Sequence, residues 1–162
     1  MRFPKESDAI FVFGGHIEPQ VPSMIDLQAA NHTNRELELM LAGKKPLAMF
    51  YDEVSFLPHE EIIPEEKFAP YVTSGRFVRG DEIYAGDFHA GLGRNVNIKY
   101  VFFAIAEEAW RIPALSFLLR IRYRMSSWQS EEFERMEGLL LGYTDEEVDA
   151  WCDHRFCQNA LT

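Results

Sequence analysis

Apolar positions follow two periods along this chain. Continuous runs at Ala9–Phe13, stopped by Gly14 and Gly15, and at Leu47–Tyr51 read as short buried strands. Asn95–Ile105 changes character along its length. Val96, Ile98 and Tyr100 alternate with Asn97 and Lys99, and then every position from Val101 to Ile105 is apolar. A strand apolar on both faces must be covered on both sides, which places it at the centre of a sheet. Phe77–Tyr84 carries Gly80-Asp81 in its middle and predicts a hairpin with a two-residue turn.

Helical period and end signals appear between and after these runs. Ser23 caps a predicted short helix to Ala30, and Thr33 with Glu36 has capping-box spacing for a helix that Gly43 ends and Pro46 forbids from continuing. Lys44 and Lys45 then complement the C-terminal end of its dipole. Pro64 suits the first position of a short helix reaching Phe68. In the last third, Pro113 opens a helix to Met125. Ser130 starts another that ends at Gly142, and Thr144 with Glu147 forms a second capping box for a helix to Cys157. The fold class is therefore α+β: a small mixed or antiparallel sheet of about four to five strands, Asn95–Ile105 central, followed by a helical C-terminal third of three helices. At 162 residues the chain fits a single domain spanning 1–162.

Charge narrows the partners. Sixteen basic and 26 acidic residues give −10, which disfavours direct nucleic-acid binding. Two cysteines are too few for a disulfide framework, and no apolar run reaches the roughly 18 residues of a membrane span, so a cytoplasmic protein off the membrane is expected. The excess is local. Between Ser126 and Asp153 nine acids face one base, Arg135, which is −8 in one segment. Glu131, Glu134, Asp145 and Asp149 are expected to point outward from a helix pair, with Leu139, Leu140, Val148 and Trp151 inside. Such a face is either a solvated surface or a docking surface for a basic partner. Arg122 falls on the apolar stripe of Leu115, Leu118 and Leu119. It must pair with an acid such as Glu107, Glu108 or Glu137, or else bind an anion.

Catalytic signals are sparse. Asp87 and His89, two apart after a strand and followed by Arg94 among Gly86, Gly91 and Gly93, could serve one metal ion or one catalytic water in a small hydrolase or transferase. That is the alternative. Gly14-Gly15 lacks the rest of any phosphate-loop pattern, and Cys152 and His154 sit about 200° apart on a helix, unable to share a ligand. No metal or cofactor is expected. Tyr51, Phe56, Phe68, Tyr71, Phe77 and Tyr84 surround the proline-rich middle, as lid packing or an interface. Together these features favour a non-enzymatic, acidic protein-binding or regulatory domain, an inhibitor or immunity-type partner of a basic protein. The residues expected to carry binding are Glu131, Glu134, Asp145, Asp149 and Arg122.

Overall fold

The computed structural model describes residues 32, 34–54, 63–85, 88–89, 94–95, 97–124 and 130–157, with the backbone alone at 53, 88, 89, 94, 95 and 157. The expected strand at Ala9–Phe13 and helix at Ser23–Ala30 lie outside these residues.

The architecture is α+β. Strands β1 (Leu47–Glu53), β2 (Phe77–Tyr84) and β5 (Ile98–Ile105) form an antiparallel sheet in the order β1-β5-β2. The apolar half of β5 does what its sequence requires. Val101, Phe102, Phe103 and Ala104 are each at most 1% exposed, because β5 is central and both of its faces are covered. Tyr100, Phe102 and Ala104 face one core, with Leu47, Tyr84, Leu115, Leu118 and Leu119. Val101 and Phe103 face the other, with Met40, Ala48, Ile63, Phe68 and Phe77. A large aliphatic or aromatic side chain buried in this way contributes about 1.5–3 kcal/mol.

Two expectations about the sheet are corrected. Phe77–Tyr84 is not a hairpin but one continuous strand, paired with β5 from Phe77 opposite Ile105 to Tyr84 opposite Ile98. Gly80 serves close packing rather than a turn, since a Cβ there would lie 2.7 Å from Ile112 Cγ2 on the covering helix. The central strand also begins at Ile98 rather than Asn95; among the described residues the sheet has three strands, and the expected strand Ala9–Phe13 lies outside them. Asn95 belongs instead to a two-residue ribbon, β3 (Phe88–His89) with β4 (Arg94–Asn95).

One side of the sheet carries α1 (Glu36–Leu41) and α2 (Glu65–Thr73). The expected capping box does not start α1. Its N-cap is Arg35, which makes no side-chain cap, and Thr33 is outside the described residues. Gly43, at φ 70°, does end it. α2 runs past its expected end at Phe68 and through Pro70, which forgoes one helical hydrogen bond. Phe68 anchors it by stacking on Phe103, ring centroids 4.2 Å apart.

The other side carries the C-terminal helices: α3 (Arg111–Arg124), α4 (Glu131–Leu141) and α5 (Asp145–Cys152), which continues as a π turn, Asp153–Cys157. Leu115, Leu118, Leu119 and Arg122 form the buried stripe of α3. α4 stops at Gly142, whose φ of 85° favours glycine and whose Cβ, if present, would lie 2.1 Å from Pro46 Cδ. The capping box of α5 is complete. Glu147 N donates to Thr144 Oγ1 at 3.2 Å, and Thr144 N donates to Glu147 Oε2 at 2.8 Å. Gly138 lets α4 approach Val148 of α5, where a Cβ would meet the valine at 2.8 Å.

Candidate functional site

The acidic segment divides into a buried part and an exposed part. Arg122 is 4% exposed and lies between two carboxylates. Its Nη1 donates to Glu137 Oε2 at 2.6 Å and its Nη2 to Glu134 Oε1 at 3.2 Å. Trp151 Nε1 donates to Glu134 Oε2 at 3.1 Å, and Arg155 Nε stands 3.6 Å from Glu134 Oε1. Burial pushes the Glu137 carboxyl up to about 7, outweighing the pull of Arg122 in the other direction. The cluster joins α3, α4, α5 and the π turn from within.

Glu134 therefore does not point outward as expected. Three groups from other elements close over it, leaving it 9% exposed. Leu139 is the converse, expected inside but 44% exposed, because α4 turns Leu140 and Leu141 toward the core in its place.

The remaining acids line the outside. Arg135 spans α4 and α5 by pairing with both Glu131, at 2.8 Å, and Asp149. Asp145, Asp149 and Asp153 follow one another at intervals of four and are all exposed, so they form one stripe along α5 and its π turn. Glu146 is exposed beside them. Asp145, Glu146 and Asp153 have no cation at ion-pair distance among the described residues. The first turn of α5 tolerates this charge because unpaired N–H groups and the helix dipole favour anions there.

The neighbouring arginines of α3 do not neutralise this stripe. Arg111 Nε donates to Glu108 at 2.7 Å, Arg120 to Glu82 at 2.6 Å, and Arg122 is held inside by Glu134 and Glu137. These three arginines are committed elsewhere in space.

Of the other candidates, Asp87 lies outside the described residues. The backbone pairs His89 with Arg94 across the β3–β4 ribbon, and their side chains are outside the description. Cys152 is 1% exposed on the inner side of α5 with Val148, and burial pushes its thiol up. Among the described residues no group of three His, Cys, Asp or Glu is placed to hold a metal ion, and no helix is long and apolar enough to cross a membrane.

The aromatic group around the proline-rich middle splits across the sheet. Phe68 and Phe77 pack into the core under α1 and α2, with Tyr71 against it, whereas Tyr84 joins Tyr100 in the core under α3. Phe56 is not among the described residues. Tyr84 stacks on Tyr123 at 4.9 Å, and Tyr100 Oη and Tyr123 Oη are 3.0 Å apart. An open cleft of about 520 Å³ borders Glu82, Tyr84, Arg120 and Tyr123. Its polar groups serve one another: Glu82 accepts from Arg120 at 2.6 Å and lies 2.7 Å from the Tyr84 hydroxyl.

Sequence reasoning missed Lys45. It is 3% exposed rather than solvated at the end of α1. Its ammonium donates to Leu141 O at 3.3 Å, lies 3.5 Å from His32 Nδ1, and sits 4.5 Å from the centre of the Tyr143 ring. Burial lowers its pKa to about 8. No local pattern marks it, because its partners are distant in sequence: His32 before α1, Leu141 at the end of α4 and Tyr143 in the link to α5.

Comparison with known proteins finds no matching family model, no matching curated protein and no matching solved structure.

Proposed function

We infer that this domain binds a basic protein through the outer acidic face of α4 and α5, as a regulatory or inhibitory module. The observation that carries this reading is the aspartate stripe Asp145, Asp149 and Asp153, exposed on one line with, among the described residues, a single cation, Arg135, at ion-pair distance. Like charges so arranged repel by a few tenths of a kcal/mol per pair, a small cost to folding. Their summed field attracts a basic surface from a distance set by the Debye length, about 8 Å at physiological salt. Arg111, Arg120 and Arg122 of α3 leave the field in place, since Glu108, Glu82 and the pair Glu134 and Glu137 hold them. Glu131 shares Arg135 with Asp149 and sets the edge of the face, while Arg122 and Glu134 support it from inside.

The test is to replace Asp145, Asp149 and Asp153 together by Asn. Proteins retained from lysate of the source cell are then compared between this variant and the unaltered domain at low and at high salt. The reading expects a basic protein retained at low salt by the unaltered domain and released both by salt and by the triple substitution, with the circular dichroism of the folded domain retained. An identical retained set for both proteins would overturn it.

A further inference from the structure

Beyond the acidic face, the sheet has two outer strands, β1 and β2, and the second of them borders the open cleft. Among the described residues the backbone of β2 bonds only to β5, so the N–H and C=O groups of every second residue along its outer edge are left open. Proteins usually blunt such an edge with proline, a bulge or solvated charge. β2 contains no proline, and its register with β5 runs unbroken from Phe77 to Tyr84. Its charged side chains are engaged, Arg79 by Glu65 and Asp81, and Glu82 by Arg120.

One flank of α3 overhangs this edge. The helix packs on β2 and β5, whereas α4 lies on its other side and packs on β1. α3 follows the direction of β2, with Ile112 against Gly80 and Tyr123 stacked on Tyr84. Arg122 points toward α4, where Glu134 and Glu137 hold it. Arg120 and Arg124, two residues to either side and about 200° round the helix, project from the opposite flank, and both border the cleft with Glu82, Ile83 and Tyr84. Phe117, three residues before Arg120 and seven before Arg124, shares that flank and is 63% exposed. Ile83 is 60% exposed. Arg124 makes no ion pair with any described carboxylate, and Glu82 is already bonded to Arg120 and the Tyr84 hydroxyl. The cleft thus holds a cation that its own acid does not neutralise.

We propose that the outer edge of β2, beneath this flank of α3, takes a strand from another protein: an extended peptide with one carboxylate at its start and apolar side chains on its α3 side. Added antiparallel to β2, the strand begins at the Tyr84 end and runs toward Phe77. Its first residue then lies at Arg124, and its apolar side chains pass along Phe117. Open main-chain groups of the edge supply hydrogen bonds to any sequence, while alternate side chains supply selectivity. The cation at Arg124 selects a carboxylate, bonded through its planar fork. The net charge of −10 on the chain disfavours further acids, so the fitting segment is apolar after its first residue. The edge of β2 lies on the far side of α3 from α4, and α5 packs on α4, so this surface is separate from the aspartate stripe and neither inference depends on the other.

The test is fluorescence anisotropy of a labelled synthetic peptide titrated with the full chain. The peptide is blocked at both ends and has one aspartate followed by alternating valine and threonine. The unaltered protein is expected to bind it saturably below about 1 mM. Arg124→Glu is expected to weaken binding about tenfold, the size of one charge-assisted hydrogen bond, and a peptide with lysine in place of the aspartate is expected to regain that loss on the variant. Two further peptides carry methyl groups on alternate amide nitrogens, one set on each edge of the strand. One set is expected to abolish binding and the other to spare it, since only one edge of an added strand faces β2. This comparison uses the unaltered protein, so it carries the test alone if Arg124→Glu fails to fold. No saturable binding, binding indifferent to Arg124→Glu, or the same result from both methylated peptides would each overturn the proposal, and the first would leave the edge to a segment of this chain or to solvent.

Discussion

Replacing Arg122 by Met keeps the unbranched stem of the side chain and removes the guanidinium with its charge. The structure specifies what is left behind. Glu137 loses a 2.6 Å charge-assisted bond, and Glu134 loses one at 3.2 Å. Glu134 keeps Trp151 and Arg155, so Glu137 is the group left short of a partner. Breaking a buried pair by deleting one partner costs about 3–5 kcal/mol. The retained contacts of Glu134 place the loss near the lower figure, about 3 kcal/mol, against a total of roughly 5–15 kcal/mol for a domain. At about 2–4 °C per kcal/mol for a chain of this size, the melting temperature should fall by about 6–12 °C. Urea unfolding at pH 8, followed by circular dichroism, measures the loss directly. Adding Glu137→Gln to Arg122→Met removes the orphaned charge and should return about 1–2 kcal/mol, within the range of coupling between contacting residues. A loss below about 1 kcal/mol for Arg122→Met, or no recovery in the double variant, would refute the reasoning that the carboxylates depend on this guanidinium.

Three further outcomes follow from the same geometry. Because burial holds Glu137 at about 7, above its reference of 4.5, the folded state binds this proton more tightly than the unfolded chain does. Its contribution is largest below 4.5 and is lost as pH rises through 7, about 3 kcal/mol in all. Glu137→Gln should flatten that part of the stability–pH profile, read by denaturant titration at half-unit steps. Gly80→Ala should destabilise by about 1–3 kcal/mol, because the new Cβ meets the Ile112 methyl at 2.7 Å, and Ile112→Val, which keeps that methyl, should not relieve it whereas Ile112→Ala should. Thr144→Ala should cost about 1 kcal/mol by opening the capping box of α5, measured by thermal unfolding; a change within error would mean the box contributes nothing.

What was legible in the sequence is what local pattern decides. The double apolar face of Val101–Ile105 announced a central strand, and the phase of Leu115, Leu118 and Leu119 placed Arg122 inside, where it meets Glu137. Thr144 and Glu147 marked their helix start because both capping bonds are made within four residues. The misses at Gly80, Glu134 and Lys45 involve distant partners. Gly80 resembles a turn residue until Ile112, far along the chain, packs against it. Glu134 looks like one more surface acid until Arg122, Trp151 and Arg155 converge on it. A sequence signal for it did exist: Glu134 and Glu137, three apart, both fall within reach of Phe133 and Leu140–Leu141, the core side of α4. Lys45 gave no such signal, because the carbonyl of Leu141 and the ring of Tyr143 hold it. Of the expected binding residues, Asp145 and Asp149 are exposed as read, Glu131 is tied to Arg135, and Glu134 and Arg122 are interior.

The reading of α5 as a docking face is tested most directly by the association rate of the captured basic partner as a function of ionic strength. Stopped-flow or surface-based kinetics would compare the unaltered domain with the Asp145→Asn, Asp149→Asn, Asp153→Asn variant. Electrostatic steering raises association from a neutral value of roughly 10⁵–10⁶ M⁻¹s⁻¹ and fades as salt shortens the Debye length. The account predicts an association rate for the unaltered domain that falls at least about tenfold from low to high salt, and a slower, nearly salt-independent rate for the variant. Equal rates for the two proteins at every ionic strength would contradict it.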